Sequence, residues 1–166
     1  MDISQATADL KSSDAAVRAA AAEQLAHLED GAQPAAVPLV LATADADESV
    51  RQWATAALES LGPPDPEQAA ELAKLTSDPR LDVAYWAVTL LGRLGSDAGS
   101  ADTVAALICA IDNHPEAAVR ERAAWALGEV GSAAAAALPA LQGAQAKADP
   151  RLSRLAKTAI EQISAK

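Results

Sequence analysis

Apolar residues recur along the chain in five copies of one pattern. Val17, Ala21, Leu25 and Leu28 form the first, and Val50, Ala54, Leu58 and Leu61 the second. Val83, Ala87, Leu91 and Leu94 form the third, and Val119, Ala123, Leu127 and Val130 the fourth. A weaker fifth copy runs through Leu152, Ala156, Ile160 and Ile163. Within each copy the positions fall at i, i+4, i+8 and i+11, a single stripe on an α-helix. The lead residues are 33, 33, 36 and 33 positions apart, a period that belongs to stacked helical hairpins. Gly62, Gly95 and Gly131 stand one residue past the stripe, where a helix calls for a left-handed terminator.

Between the long helices the sequence predicts shorter ones over about 3–11, 34–43, 66–75, 101–111 and 133–145. Asp2 with Gln5, and Asp65-Pro66 with Gln68, read as N-caps with their capping-box partners. Ser100 and Ser132 stand as caps before alanine-rich runs, and Asp78-Pro79 and Asp149-Pro150 as starts of long helices. Pro38 and Pro139 fall inside short helices and are expected to bend them. The chain thus reads as an all-α protein of about ten helices in five antiparallel pairs. It forms one domain over 1–166, with repeats near 2–30, 33–62, 65–95, 100–131 and 133–165.

Composition explains why the helices must stack. Forty-five of the 166 residues are alanine, and aromatics amount to three Trp, one Tyr and no Phe. Alanine favours helix because it has no side-chain entropy to lose. It buries little area, however, at about 25 cal/mol per Å², so a single core of alanines would be thin. Many close helix–helix contacts solve that problem. One cysteine excludes a disulfide framework, and no apolar run is as long as the ~20 residues of a membrane span. The start of the chain, Met1 to Gln5, shows no secretory signal, so a cytoplasmic location is expected.

The repeated Asp-x-x-Val-Arg opening, Asp14 to Arg18 and Asp47 to Arg51, with Glu116 to Arg120 as its variant, resembles the HEAT-repeat family, in particular its short bacterial-type members. The resemblance covers nearly the whole chain. It implies a right-handed α-α superhelix, a solenoid whose Val-Arg helices line a concave face. It also implies a ladder of Asp and Arg side chains between repeats. The family's turn aspartate matches Asp45 and Asp78, its second acidic position Asp14 and Asp47, and its arginine Arg18, Arg51 and Arg120. The third and fifth repeats depart from the pattern, with Ala84 and Ser153 at the arginine position, and the fifth reads as an atypical end repeat.

Few residues offer chemistry. His27 and His114 stand in different repeats, without a second ligand on their helices, so no metal site is expected. The His-Glu pairs of the HEAT-like iron hydroxylase are missing. Cys109, among Leu107, Ile108 and Ala110, reads as a buried small hydrophobe. The glycines follow the repeat in Gly92-x-x-Gly95 and Gly128-x-x-Gly131, as helix-terminus and close-packing residues rather than phosphate loops. No catalytic residue and no cofactor is expected, and the chain reads as a non-enzyme.

Charge narrows the partner. The chain has 13 Lys and Arg against 23 Asp and Glu, a net charge of −10. Residues 1–83 hold 5 basic and 15 acidic side chains, while 84–166 hold 8 of each. The tail, with Lys147, Arg151, Arg154, Lys157 and Lys166, is locally basic. That footprint is too small for nucleic acid to be the expected partner.

The four aromatics cluster on the long helices of repeats two to four. Trp53 and Trp86 occupy position i+3, Tyr85 position i+2 and Trp125 position i+6. Ala20, Arg122 and Leu155 share the i+3 position and extend a row across the face. Structurally, the Trp residues would fill seams that alanine leaves open. Functionally, they would form a binding surface with Tyr85, Arg122 and Trp125, since aromatics and arginine dominate recognition surfaces. With Glu23 and Glu59 on the same helices as this row, an acidic groove would suit a basic peptide or helix. The expected function is a protein-binding scaffold or adaptor. The alternatives are a bilin-lyase-like HEAT enzyme or its subunit, and a regulatory repeat module cut from a longer protein.

Overall fold

The computed structural model describes residues 2–165; Met1 and Lys166, which belong to the readings of the N-terminus and the basic tail, lie outside the described residues. Ten α-helices and no strand occur among them. They are α1 (Ile3–Asp9), α2 (Ala15–Ala26), α3 (Ala36–Ala42), α4 (Glu48–Ser60), α5 (Ala69–Leu75), α6 (Leu81–Leu94), α7 (Ala101–Asn113), α8 (Ala117–Val130), α9 (Leu138–Gln145) and α10 (Pro150–Ser164). The helices fall into two compact units, Met1–Gln68 and Ala69–Lys166.

In the first unit α2 packs on α4, with α1 and α3 against them. In the second, α6, α8 and α10 stack in sequence and α5, α7 and α9 form a second layer over them. The predicted stripe is the buried face. Val50, Ala54 and Leu58 of α4, Val83, Ala87 and Leu91 of α6, and Val119, Ala123 and Leu127 of α8 have no exposed surface. The first repeat differs, with Val17 at 38% and Leu28 at 39% exposure. A solenoid repeat buries its stripe only against its neighbours, and no described repeat precedes this one. There α2 buries Ala21, Ala22 and Leu25 instead.

Several terminus predictions need correction. Gln5 donates to Asp9 (2.8 Å) rather than back to its cap, so Asp2 caps α1 through Ser4 N alone. Gln68 likewise reaches forward in space to the Pro34 carbonyl (3.0 Å). Ser100 caps α7 through Thr103 N and Asp149 caps α10, as expected. Ser132 instead lies inside a 3₁₀ segment, Gly131–Ala137, that carries the chain into α9. Neither Pro38 nor Pro139 bends its helix. Both sit in the first turn, where the missing N–H has no intrahelical partner. Pro79 precedes the Arg80 cap of α6 instead of opening the helix.

Gly95 and Gly131 end α6 and α8 with φ of 58° and 70°, but with ψ of −131° and −143°. That is the mirror-image extended region, open in practice to glycine alone. Gly62 has no positive φ; α4 ends on an extended Leu61, and Gly62 N donates to Asp30 Oδ1 at 2.9 Å. By length and composition alone, Ala117–Gln145 would reach across a membrane, because its alanine run counts as apolar. The chain turns at Gly131 within that stretch, and α8 buries Val119, Ala123, Leu127 and Val130 in the stack.

Candidate functional site

The i+3 residues of the long helices meet different fates. Trp53 on α4 is half-buried, its ring 5.9 Å from that of His27, the residue that caps the end of α2. Trp86 on α6 is only 9% exposed. Its indole meets the Tyr85 ring edge-on at 6.0 Å and has Arg93 over it at 5.6 Å. Trp86 is therefore a packing residue of α6, with little surface left open. At the edge of the stripe, a side chain this large reaches the seam that alanine leaves open.

Arg122, at the same position on α8, is part of an assembled surface. Its guanidinium carbon lies 3.8 Å from the centre of the Trp125 ring and 5.5 Å from that of Tyr85. Arg122 Nε donates to Thr89 Oγ1 (2.9 Å), and that hydroxyl donates to the Tyr85 carbonyl (2.7 Å). Burial pulls the Arg122 guanidinium below its ordinary range. Among the described residues no carboxylate pairs with it, and its two Nη groups donate to no protein acceptor. Trp125 sits against α6 at Gly92, where a Cβ would collide with the indole. The glycine at that position thus sets where the aromatic ring can lie.

These side chains line a groove of about 470 Å³. Tyr85 comes from α6, Ala118, Glu121, Arg122 and Trp125 from α8, and Arg151, Arg154 and Leu155 from α10. Every lining residue belongs to the long second helix of its repeat. Glu121 is held by Arg151 at 3.0 Å. Arg154 is exposed and has no ion pair among the described residues. Of the residues the sequence singled out, the groove gathers Tyr85, Arg122, Trp125 and Leu155. Glu23 and Glu59 are exposed on α2 and α4 of the first unit. The charged lining of the groove is instead three arginines and one glutamate, so the expected acidic character does not hold for it. Sequence reasoning missed Glu121, Arg151 and Arg154 as site residues. Glu121 and Arg154 fall at i+2, the register position of Tyr85, and aligning that position across repeats would have found them.

The ladder residues are organised around the turns. Arg18 Nη1 donates to the Ser12 and Ser13 carbonyls, Arg51 Nη1 to those of Asp45 and Ala46, and Arg120 Nη1 to those of His114 and Pro115. Each arginine thus ties down the turn that precedes its own helix. Arg18 also forks onto Asp45, with both contacts at 2.8 Å, and links the first two repeats. Asp14 and Asp47 cap α2 and α4. Asp78 does not extend the ladder in the same way; it pairs with Arg80 in its own turn (2.8 Å). In both turns the guanidinium holds the aspartate carboxyl below the usual range.

His114 occupies the register position of Asp45 and Asp78 in the fourth repeat. Its Nδ1 accepts from Glu116 N (3.1 Å), as Asp45 Oδ1 accepts from Asp47 N (2.9 Å). Nε2 therefore carries the proton and donates to the Asp78 carbonyl (3.2 Å). The imidazole reproduces the aspartate turn and adds a link to the preceding repeat. Cys109 is exposed: α7 buries Thr103, Val104, Leu107, Ala110 and Ile111, and Cys109 lies off that face. No group of three or more His, Cys, Asp or Glu is poised for a metal among the described residues.

The model of the family described as HEAT repeats matches residues 3–92 and 69–161. Curated proteins give no match to the sequence. Solved structures share the fold at low identity. A designed armadillo repeat protein in complex with the peptide (KR)4 is similar with TM-score 0.66 and 22% identity, over 98% of this chain and 82% of its own. The complex of CpcE and CpcF of phycocyanin lyase from Nostoc sp. PCC7120 is similar with TM-score 0.67 and 23% identity, over 100% of this chain and 66% of that one. An engineered protein is similar with TM-score 0.68 and 22% identity, and the chain spans 48% of its length.

Proposed function

The chain belongs to the HEAT-repeat family, and from that premise we propose that it is a non-enzymatic interaction module that holds a segment of a partner protein in the groove across α6, α8 and α10. The observation that carries this reading is the Tyr85–Arg122–Trp125 stack at a groove lined only by the long helices. Aromatic and arginine side chains with few free rotamers give contact area at low entropic cost, and such residues dominate binding energy. The groove supplies fixed cations and ring faces, not a nucleophile with its base. Its volume suits a few side chains of a peptide, and a designed protein of the same fold holds a peptide.

The test is affinity capture from native lysate with the full chain, read against Trp125→Ala and Leu155→Ala. Loss of one specific partner with both folded variants supports the groove. Equal capture by the wild type and both variants would end the reading.

A further inference from the structure

The proposed groove sets a charge that its occupant must answer. We infer that the occupant is an acidic peptide segment, with carboxylates meeting Arg122 and Arg154 and an apolar side chain lying against Trp125 and Leu155. The inference rests on the partner-binding reading of that groove.

Four observations support it. First, the charged lining is Arg122, Arg151, Arg154 and Glu121, and the Arg151–Glu121 pair at 3.0 Å neutralises itself. Two guanidinium groups are left over. Second, Arg122 is partly desolvated against two rings and no carboxylate of the described chain pairs with it. Glu129 acts on Arg122 through space without an ion-pair contact, so part of the cost of taking the cation out of water remains, and an incoming carboxylate relieves it. Third, Arg122 is already oriented. Thr89 holds Nε (2.9 Å), which leaves the Nη edge for a forked carboxylate contact, the geometry that guanidinium favours. Fourth, a basic segment would bring like charges together in the same groove, which disfavours it.

A polyanion such as nucleic acid answers the same two cations less well. Phosphate binding draws on many clustered cations, and the chain as a whole carries −10. A short acidic peptide needs only the local pair.

The experiment follows the Trp125 indole N–H of the full chain by NMR, assigned with Trp125→Phe. The probes are a glutamate/leucine peptide, its glutamine/leucine and lysine/leucine counterparts of equal length, and an oligothymidylate. The expected result is a Trp125 shift with the glutamate peptide that weakens with salt. Arg154→Gln, an exposed change that leaves the core intact, and Arg122→Gln should each raise Kd roughly tenfold. Equal or tighter binding of the glutamine, lysine or oligonucleotide probe at Trp125 overturns the acidic class while leaving the groove reading in place. No Trp125 response to any of the four overturns both.

Discussion

Arg122 and Trp125 lie one turn apart on α8, with the guanidinium carbon 3.8 Å from the indole centre. The pair exists because a third residue is absent in part: Gly92 on α6 has no Cβ where the indole needs to be. Close approach of α6 and α8 and the shape of the groove are therefore one feature. The ring that packs the helices together is also the ring that carries the arginine.

Gly92→Ala tests that coupling. The added methyl meets the Trp125 ring, and overpacking typically costs about 1–3 kcal/mol. Helix propensity returns up to about 1 kcal/mol, so urea unfolding should show a net loss of about 1 kcal/mol. In a Trp125→Ala background the methyl finds space, and Gly92→Ala should become neutral or stabilising. A double-mutant cycle reads the difference. Independent, additive effects would show that the ring does not depend on the glycine.

The Arg18–Asp45 fork predicts a pH dependence with a definite sign. The Arg18 hydrogen bonds, helped by Asp47 N–H, hold the Asp45 carboxyl below its ordinary value. The folded chain then takes up that proton at a lower pH than the unfolded chain does. The resulting stabilisation is complete above the ordinary range, about pH 4, and is lost as pH falls through the folded value. Thermal melts between about pH 6 and pH 2 should therefore show a steeper acid loss for the wild type than for Asp45→Asn. Parallel acid limbs would contradict the assignment.

The stripe positions were legible because burial repeats with the helix: Val50, Val83 and Val119 lead their copies and are fully buried. Helix ends were less so, since Gln5 and Gln68 found partners other than their caps, at Asp9 and Pro34. The Pro34 carbonyl is distant in sequence and cannot be read from local spacing. The site was half legible. Tyr85, Arg122 and Trp125 stood out as rare residues on one face. Trp86 shares a register position with Arg122 and ended in the core, because an indole can bury itself in a seam and a guanidinium keeps its polar edge open. Arg151 and Arg154 were read as part of a basic tail. Their place beside α8 depends on how α10 stacks, which the one-dimensional pattern does not state.

His114 offers a sharper test of the turns. It is 6% exposed and uses both ring nitrogens, Nδ1 toward Glu116 N and Nε2 toward the Asp78 carbonyl. His114→Ala leaves both backbone groups without that partner, and the expected loss is about 2 kcal/mol. His114→Asn can still accept from Glu116 N through a short side-chain oxygen, as Asp45 does in its own turn. It should recover part of the loss while the link to Asp78 stays broken. Denaturant midpoints of the two variants measure the turn and the inter-repeat link separately.

Glu29 stands twelve residues after Val17, the register position that Gly62, Gly95 and Gly131 hold after Val50, Val83 and Val119. The backbone there has φ of 48° with a glutamate side chain in place. A left-handed conformation costs a residue with a Cβ about 1–2 kcal/mol, while glycine loses about 0.5–1 kcal/mol more entropy on folding than alanine does. The first effect is larger, so Glu29→Gly should stabilise the protein by roughly 0.5–1 kcal/mol and raise Tm by a few degrees. The converse change isolates the cause. At Gly131, φ is 70° and a Cβ would meet nothing within 4 Å, so Gly131→Ala carries the backbone penalty without a clash and should lose about 1 kcal/mol. A lower Tm for Glu29→Gly would show that the positive φ at Glu29 is not a source of strain, and an unchanged Tm for Gly131→Ala would show the same for Gly131.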